Sequence, residues 1–456
     1  MQHVEGRSSM QSNPKHQWLR VATRWAVAGL LVTTLGTLLA DERSLTAAET
    51  LCAESGGVAK AGRGWPQFLG PDRNGTSTET GLLTSWPENG PAEVWRVPGG
   101  VGMSGLAVHD GKLVTLVQRQ GKQWAVCLDA RSGKELWASE IATTYRNQMG
   151  DGPRSTPAIS NGAVYVFSGE GILAALSLAE GRVAWRVNLV EKLEGRVADY
   201  GMACSPLIVD GKVVVTVGAD GATVVAVDAR TGEISWTSGS DHPAGYSSPA
   251  LLQVGGREQL VVFHGDGVFG LDPKSGAELW NHSYVTDFNC NIATPLAVDD
   301  GVLISAGENH GSTLLGLTPK GPKFDVVERW TSQGAKSTLR NEWQTSVAVA
   351  GALFGFDNVG SAGPVTHLAC IDPKTGERKW QQLRFGKGNL IAADGKLFVL
   401  TMQGELVVLK ADPRNFVELG RKSLLEKSRT APALADGLLY LRDDHEIVCV
   451  DVKHRE

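Results

Sequence analysis

A glycine recurs between two apolar runs at near-constant spacing, usually directly after Asp or Asn: Gly111, Gly162, Gly211, Gly256, Gly301, Gly351, Gly395 and Gly437. The mean interval is about 47 residues, a period at which repeats mean propeller blades or solenoid units. A second series keeps the same beat, in Trp95, Trp137, Trp185, Trp236, Trp280, Trp330 and Trp380. Residues 205–236 show one full repeat, SPLIVDGKVVVTVGADGATVVAVDARTGEISW. Its β-rich runs are separated by Asp210-Gly211 and Asp220-Gly221, pairs that signal hairpins because both turn residues need positive φ. A third turn, Asp228 to Gly232, combines an Asp that can cap backbone amides with a glycine for the left-handed position. Four antiparallel strands joined by three tight turns make one propeller blade.

The same grammar returns in Asp129–Gly133, Asp272–Gly276 and Asp372–Gly376, each followed by its tryptophan. The second repeat carries Ser177 where Asp is expected, and the fifth replaces the turn with TPKGPKFDVVERW. The seventh has no tryptophan, and Leu419 is expected to fill that place. The tryptophans are read as packing residues between adjacent sheets. Three terminal strands, PALADGLLYLRDDHEIVCVD, and the orphan AEVWRVP around Trp95 form one mixed blade. The prediction is an all-β, eight-bladed propeller with four strands per blade, its last blade closed by the N-terminal strand. Residues 65–90 are expected to wrap the rim.

Residues 61–456 are read as this single domain. Residues 1–60 stand outside the repeat. Arg20 and Arg24 precede an uncharged apolar run over 25–40, the length of a signal-peptide core. These residues are expected to be a signal peptide or N-terminal anchor followed by a disordered linker. Export to the periplasm or cell envelope follows, with membrane contact only through an uncleaved N-terminal segment. A net charge of −5 gives no basic footprint for nucleic acid. Of the six cysteines, Cys127, Cys370 and Cys449 share one small, buried strand position in different blades. Sheets about 10 Å apart cannot bring such positions within disulfide reach. They are core thiols, and no cysteine has zinc-ligand spacing.

With these motifs in place, the chain resembles the pyrroloquinoline-quinone (PQQ)-repeat β-propellers. The family's docking motif, A-x-D-x-x-T/S-G-x-x-x-W, is matched by AVDARTGEISW ending at Trp236. The opening GWPQFLGPDRNGTS, with Trp86-Pro87 and Val94-Trp95-Arg96, is similar to exported BamB-like repeat proteins. The resemblance implies a quinoprotein alcohol dehydrogenase-like propeller and is specific for fold rather than for quinone binding. Enzymes of the superfamily hold the quinone in the funnel between a tryptophan and a disulfide of adjacent cysteines. An Asp base stands beside a calcium held by Glu, Asn and Asp. This chain has no adjacent cysteines and no C-x-x-C-H motif.

A site is expected where the long polar blade-to-blade connections meet at the funnel mouth. They carry Arg146, Asn147, Asp199, Tyr200, His242, Tyr246, Asn289, Asn291, Arg340, Asn341, Glu342 and Trp343. Loops over a rigid scaffold concentrate function, though the same loops can simply be solvated connections. Asp199-Tyr200 and Asn341-Glu342-Trp343 suit saccharide or peptide recognition, since aromatics stand beside polar groups. Asn289, Asn291 and Asp287 give oxygen ligands for calcium but few carboxylates. His264, in FHGDG, is read as structural, and no catalytic residue or metal ligand is assigned. The expected function is a non-catalytic envelope scaffold, monomeric and without cofactor, that binds other envelope proteins or a small polar ligand. The alternative is a PQQ- and calcium-dependent oxidoreductase acting on an alcohol or sugar.

Overall fold

The computed structural model describes residues 64–454 apart from Glu88 and residues 361–364, so the expectations for residues 1–60 lie outside the described residues. Eight separate sheets follow one another along the chain, six built from consecutive antiparallel strands and two that also take a strand from the N-terminal segment. The first seven blades span residues 107–143, 158–188, 207–238, 250–283, 296–333, 347–382 and 388–423. The eighth joins Ala433–Ala435, Leu438–Arg442 and Glu446–Asp451 to the N-terminal Ala92–Pro98. Ala92 pairs with Asp451 and Pro98 with Glu446, so the two ends of the ring share one sheet.

Most inner hairpins turn where the sequence places an Asp-Gly or Asn-Gly pair, while blade 4 turns at Gly255-Gly256 and blade 6 at Ala350-Gly351. Asp110 and Gly111 have φ of 49° and 70°, and Asp210 and Gly211 have 47° and 69°. Gly301 is an exception. It is the first residue of strand Gly301–Ala306, and Asp299 (φ 53°) takes the left-handed position one step earlier. The Asp-x-x-Ser/Thr-Gly turn closes as expected. Asp228 Oδ1 accepts from the amides of Arg230 and Thr231, and the Gly232 amide donates to the Asp228 carbonyl.

Unbroken apolar runs are needed because both faces of a middle strand are buried. In strand Lys212–Ala219, Val213, Val215 and Val217 pack with Tyr165 and Phe167 of blade 2. Val214 points the other way, to Val262 and Phe269 of blade 4. Cys127, Cys370 and Cys449 are free and buried, and burial pushes each thiol up to about 12.

The tryptophans lock neighbouring blades. The Nε1 groups of Trp95, Trp137, Trp185, Trp330 and Trp380 donate to carbonyls of Ala130, Leu178, Ala229, Pro373 and Asp412, each in the next blade. The ring lies on the turn glycine, where a side chain cannot fit. A Cβ on Gly376 would stand 2.6 Å from Trp330 Cε3. Trp280 departs from this because blade 5 lacks the turn, and its Nε1 instead donates to Gln259 within blade 4 at 2.6 Å. Trp236 sits over Gly276, but its buried Nε1 finds no acceptor. Trp330→Ala should therefore cost about 3–5 kcal/mol, and the half-buried Trp236→Ala distinctly less. Urea melts measure both; equal losses would mean that the carbonyl bond contributes nothing.

Two expectations for the N-terminal part are corrected. Leu419 does not replace the seventh tryptophan. Gly420 takes the register position, paired with Val408, and Trp86 from the N-terminal segment fills the space, 2.0 Å from where a Gly420 Cβ would be. Residues 65–77 do not wrap the rim either. They cross the ring along its innermost strands. Trp65 bridges Val108 of blade 1, Ile159 N donates to Pro66 O, and Arg73 donates to Ser205 O and Pro206 O of blade 3. Thr76–Ser77 then adds a parallel strand inside Gly388–Ala393 of blade 7. This segment is a plug in the central channel. Only after it does the chain reach the rim, where Leu82 pairs with Lys453.

Candidate functional site

The connections between blades meet above the plug. Asn147 Nδ2 donates to Asp199 O at 2.8 Å, and its Oδ1 accepts from Met149 N. The rings of Tyr200 and Tyr246 lie 5.5 Å apart, and the Tyr200 amide donates to Tyr246 Oη. Asn147, Asp199, Tyr200 and Tyr246 thus form one string across three connections. Burial raises the phenol pKa of Tyr246. Arg146 stands exposed beside them.

Three of the proposed recognition residues, Asn291, Arg340 and Asn341, are engaged inside the fold. Asn291 is fully buried. Its Nδ2 donates to His264 O and Tyr284 O while its Oδ1 accepts from Thr286 Oγ1, so it latches a loop. Asn289 stands beside it, half-buried and in a left-handed conformation (φ 54°). Arg340 is paired with buried Asp357 at 2.6 and 3.0 Å, and Arg378 completes that network. Asn341 spans Phe356 O and Ser346 Oγ. His242 faces Asp266, with Nδ1 3.0 Å from Oδ1. Asn291 and Asn341 satisfy backbone carbonyls that the connecting segments would otherwise leave unpaired, whereas Arg340 and His242 pair with carboxylates.

The remaining pair is more telling. Glu342 binds Lys387 at 2.6 Å, and Lys387 Nζ lies 5.0 Å from the centre of the Trp343 ring. Arg429 approaches the same ring at 5.8 Å and donates to Met149 O and Met103 Sδ. Opposite, Arg154 lies 4.7 Å over Tyr145 and donates to the carbonyls of Gly150, Gly152 and Tyr200. Burial lowers its pKa, with Tyr145 opposing. Arg154 and Arg429 line a cavity of about 120 Å³ together with Tyr246 and Trp343, with Trp65, Phe68 and Leu69 of the plug among its walls. A larger cavity, about 260 Å³, lies on the other face at the seam of blades 8 and 1, beside His109 and Tyr440.

Sequence reasoning placed Tyr246 and Trp343 at this cavity but assigned no role to Lys387, Arg429 or the plug. A signal for Arg429 was present. It heads RTAPA as Arg154 heads RSTPA, the same repeat position in blades 8 and 2. The plug residues carry no blade pattern, so nothing in the repeat assigns them a place.

With this geometry, the comparisons fall into one pattern. The family model described as "Outer membrane protein assembly factor BamB" matches residues 121–382 and 364–455. The BamB of Yersinia pestis is 23% identical over 362 residues, covering 77% of this chain and 76% of that protein. A quinoprotein ethanol dehydrogenase of Pseudomonas aeruginosa is 24% identical over half of this chain, which spans only 40% of that enzyme. Among solved structures, a quinohemoprotein alcohol dehydrogenase from Comamonas testosteroni superposes with a TM-score of 0.64 at 15% identity, over 91% of this chain and 84% of that one. BamB from Moraxella catarrhalis gives 0.56 at 15% identity, over 79% and 99%. At such identity the structural likeness speaks for the fold alone. The repeat grammar, the eight closed blades and the extent of the family match together place this chain in the BamB-like family of PQQ-repeat β-propellers.

Proposed function

We propose that this protein is a non-catalytic scaffold of the cell envelope whose funnel-face connections dock other envelope proteins. One observation carries the reading: Val285 and Phe288, each 64% exposed, stand on a single connection between blades 4 and 5. Phe288 holds a left-handed conformation (φ 59°), an uncommon state for a bulky residue and one that persists only when its surroundings impose it. Met149 and Val197 add exposed apolar side chains on two other connections. Exposed apolar groups rimmed by polar ones are features of protein interaction sites.

The quinone reading has little support in the channel. Small-molecule sites usually enclose about 300–1,000 Å³, and the plug leaves about 120 Å³ at the funnel floor. Of the oxygen donors expected to hold calcium, Asn291 is fully buried and its Oδ1 accepts from Thr286 Oγ1 within its own loop. On this reading a quinone–calcium pair has no seat in the chain. A photo-crosslinker at position 288 should capture a defined envelope protein, and Val285→Asp should abolish that product while leaving the melt unchanged. Dye-linked turnover of an alcohol or aldose, after addition of PQQ and calcium, would overturn the proposal.

A further inference from the structure

At the funnel face between blades 3 and 4, three side chains from two loops converge outside the cavity just described. His242 lies on the connection leaving blade 3. His264 ends strand Arg257–His264, and Asp266 follows in the two-residue turn before Gly267–Leu271. His242 Nδ1 is 3.0 Å and His264 Nδ1 is 2.7 Å from the same carboxylate oxygen, Asp266 Oδ1. One potential ligand atom from each residue lies within 4.8 Å of the other two. His264 is only 3% exposed, and its Nδ1 makes an ion-pair contact with Asp266 Oδ1 whose alignment is poor for a hydrogen bond, while His242 Nδ1 also lies 3.3 Å from Asp266 Oδ2. One carboxylate thus serves two imidazoles, and the poorly aligned contact between buried polar atoms leaves them open to a better partner.

The surroundings hold these groups in place. Phe269 stacks on the His264 ring at 4.7 Å. Asn291 clamps the His264 carbonyl, and the Tyr284 amide donates to the Asp266 carbonyl. The glycines of His264-Gly-Asp-Gly267 let the two loops meet. A Cβ on Gly265 would stand 2.7 Å from Pro243 Cβ, so a side chain there would push away the connection that delivers His242.

We propose that His242, His264 and Asp266 bind a divalent transition-metal ion of the zinc class. Two imidazole nitrogens and one carboxylate oxygen are borderline ligands that suit zinc, whereas calcium prefers six to eight oxygens. Tetrahedral zinc with bonds of about 2.0–2.1 Å separates its ligand atoms by about 3.3 Å. The two histidine–carboxylate spacings, 3.0 and 2.7 Å, need to widen by about 0.3 and 0.6 Å. His242 and Asp266 are half-exposed, which leaves a fourth position open to water or to a partner's side chain. The ion would tie the blade 3–4 connection to the blade 4 turn.

Full-length protein stripped with chelator and titrated with zinc chloride should bind one equivalent by calorimetry, with a higher melting temperature. Partners outside the ligand shell are already worth about 10–100-fold in affinity. His242→Ala and Asp266→Asn should each exceed about 100-fold, and neither is buried enough to endanger folding. Calcium chloride should give neither heat nor a melt shift. Absence of zinc binding, or binding that both variants retain, would overturn the site, and a calcium response at these residues would overturn the metal class.

Discussion

Removing the chain from Thr430 onward should unfold the entire ring, not just its last blade. The deletion takes three strands of the mixed blade and leaves Ala92–Pro98 without the partners it pairs from Ala92↔Asp451 to Pro98↔Glu446. It also removes Arg442, which is fully buried and donates to Ser104 O, Leu116 O, Thr115 Oγ1 and Gly100 O of the neighbouring blade. Two apolar blade faces would then meet water, and the backbone groups of an orphan strand would lose their acceptors. The truncated protein should show no cooperative thermal transition by circular dichroism. A melt equal to that of the full chain would refute ring closure as the source of stability. Arg442→Met isolates the staple: its partners are neutral carbonyls and a hydroxyl, and the expected loss is about 1–3 kcal/mol, the cost of leaving a buried acceptor unsatisfied.

Loss of the plug should come next in size. A chain that starts at Glu79 is expected to be less stable than one that starts at Gly64 by more than about 5 kcal/mol. Trp65 alone, 2% exposed, accounts for about 3–5 kcal/mol of this. Leu69 and the Arg73 bonds to blade 3 supply the rest. Burial pulls the Arg73 guanidinium down to about 9, so its desolvation opposes part of that gain. Guanidinium melts of the two chains, with Trp65→Ala as the single-site control, measure the difference. A gap under about 1 kcal/mol would show that the segment rests in the channel without supporting it.

The blades were legible because their turns are local. An Asp-Gly pair or an Asp-x-x-Thr-Gly turn states its geometry within five residues, and each recurs often enough to average out exceptions such as Gly301. The failures were non-local. Gly420 means nothing alone; it becomes readable only beside Trp86, whose ring occupies the missing side chain's volume. The register was also obscured because the turn at 411–415 is reshaped around Asp412, which accepts from the Arg414 amide. At the funnel, residue type did not reveal orientation. Arg340 and Asn341 looked like recognition residues, but one neutralises Asp357 and the other satisfies a backbone carbonyl. His264 gave the reverse case. Its burial fitted a structural role, and only the arrival of His242 and Asp266 beside it gives it a chemical one.

The seam between the chain's two ends also sets a clock. Glu79 caps the amides of Asp436 and Gly437, made 357 and 358 residues later. At about 5–20 residues per second, synthesis separates such partners by roughly 20–70 s. Throughout that interval the strand Ala92–Pro98 exists with nothing to pair with, a β-edge open to any other unpaired strand. Its sequence is suited to the wait. Glu93 and Arg96 put opposite charges on the strand and Pro98 removes a backbone donor at its end, the devices that discourage edge-to-edge association. Replacing Glu93 and Arg96 with valine should therefore leave the finished ring nearly as stable while increasing aggregation of nascent chains.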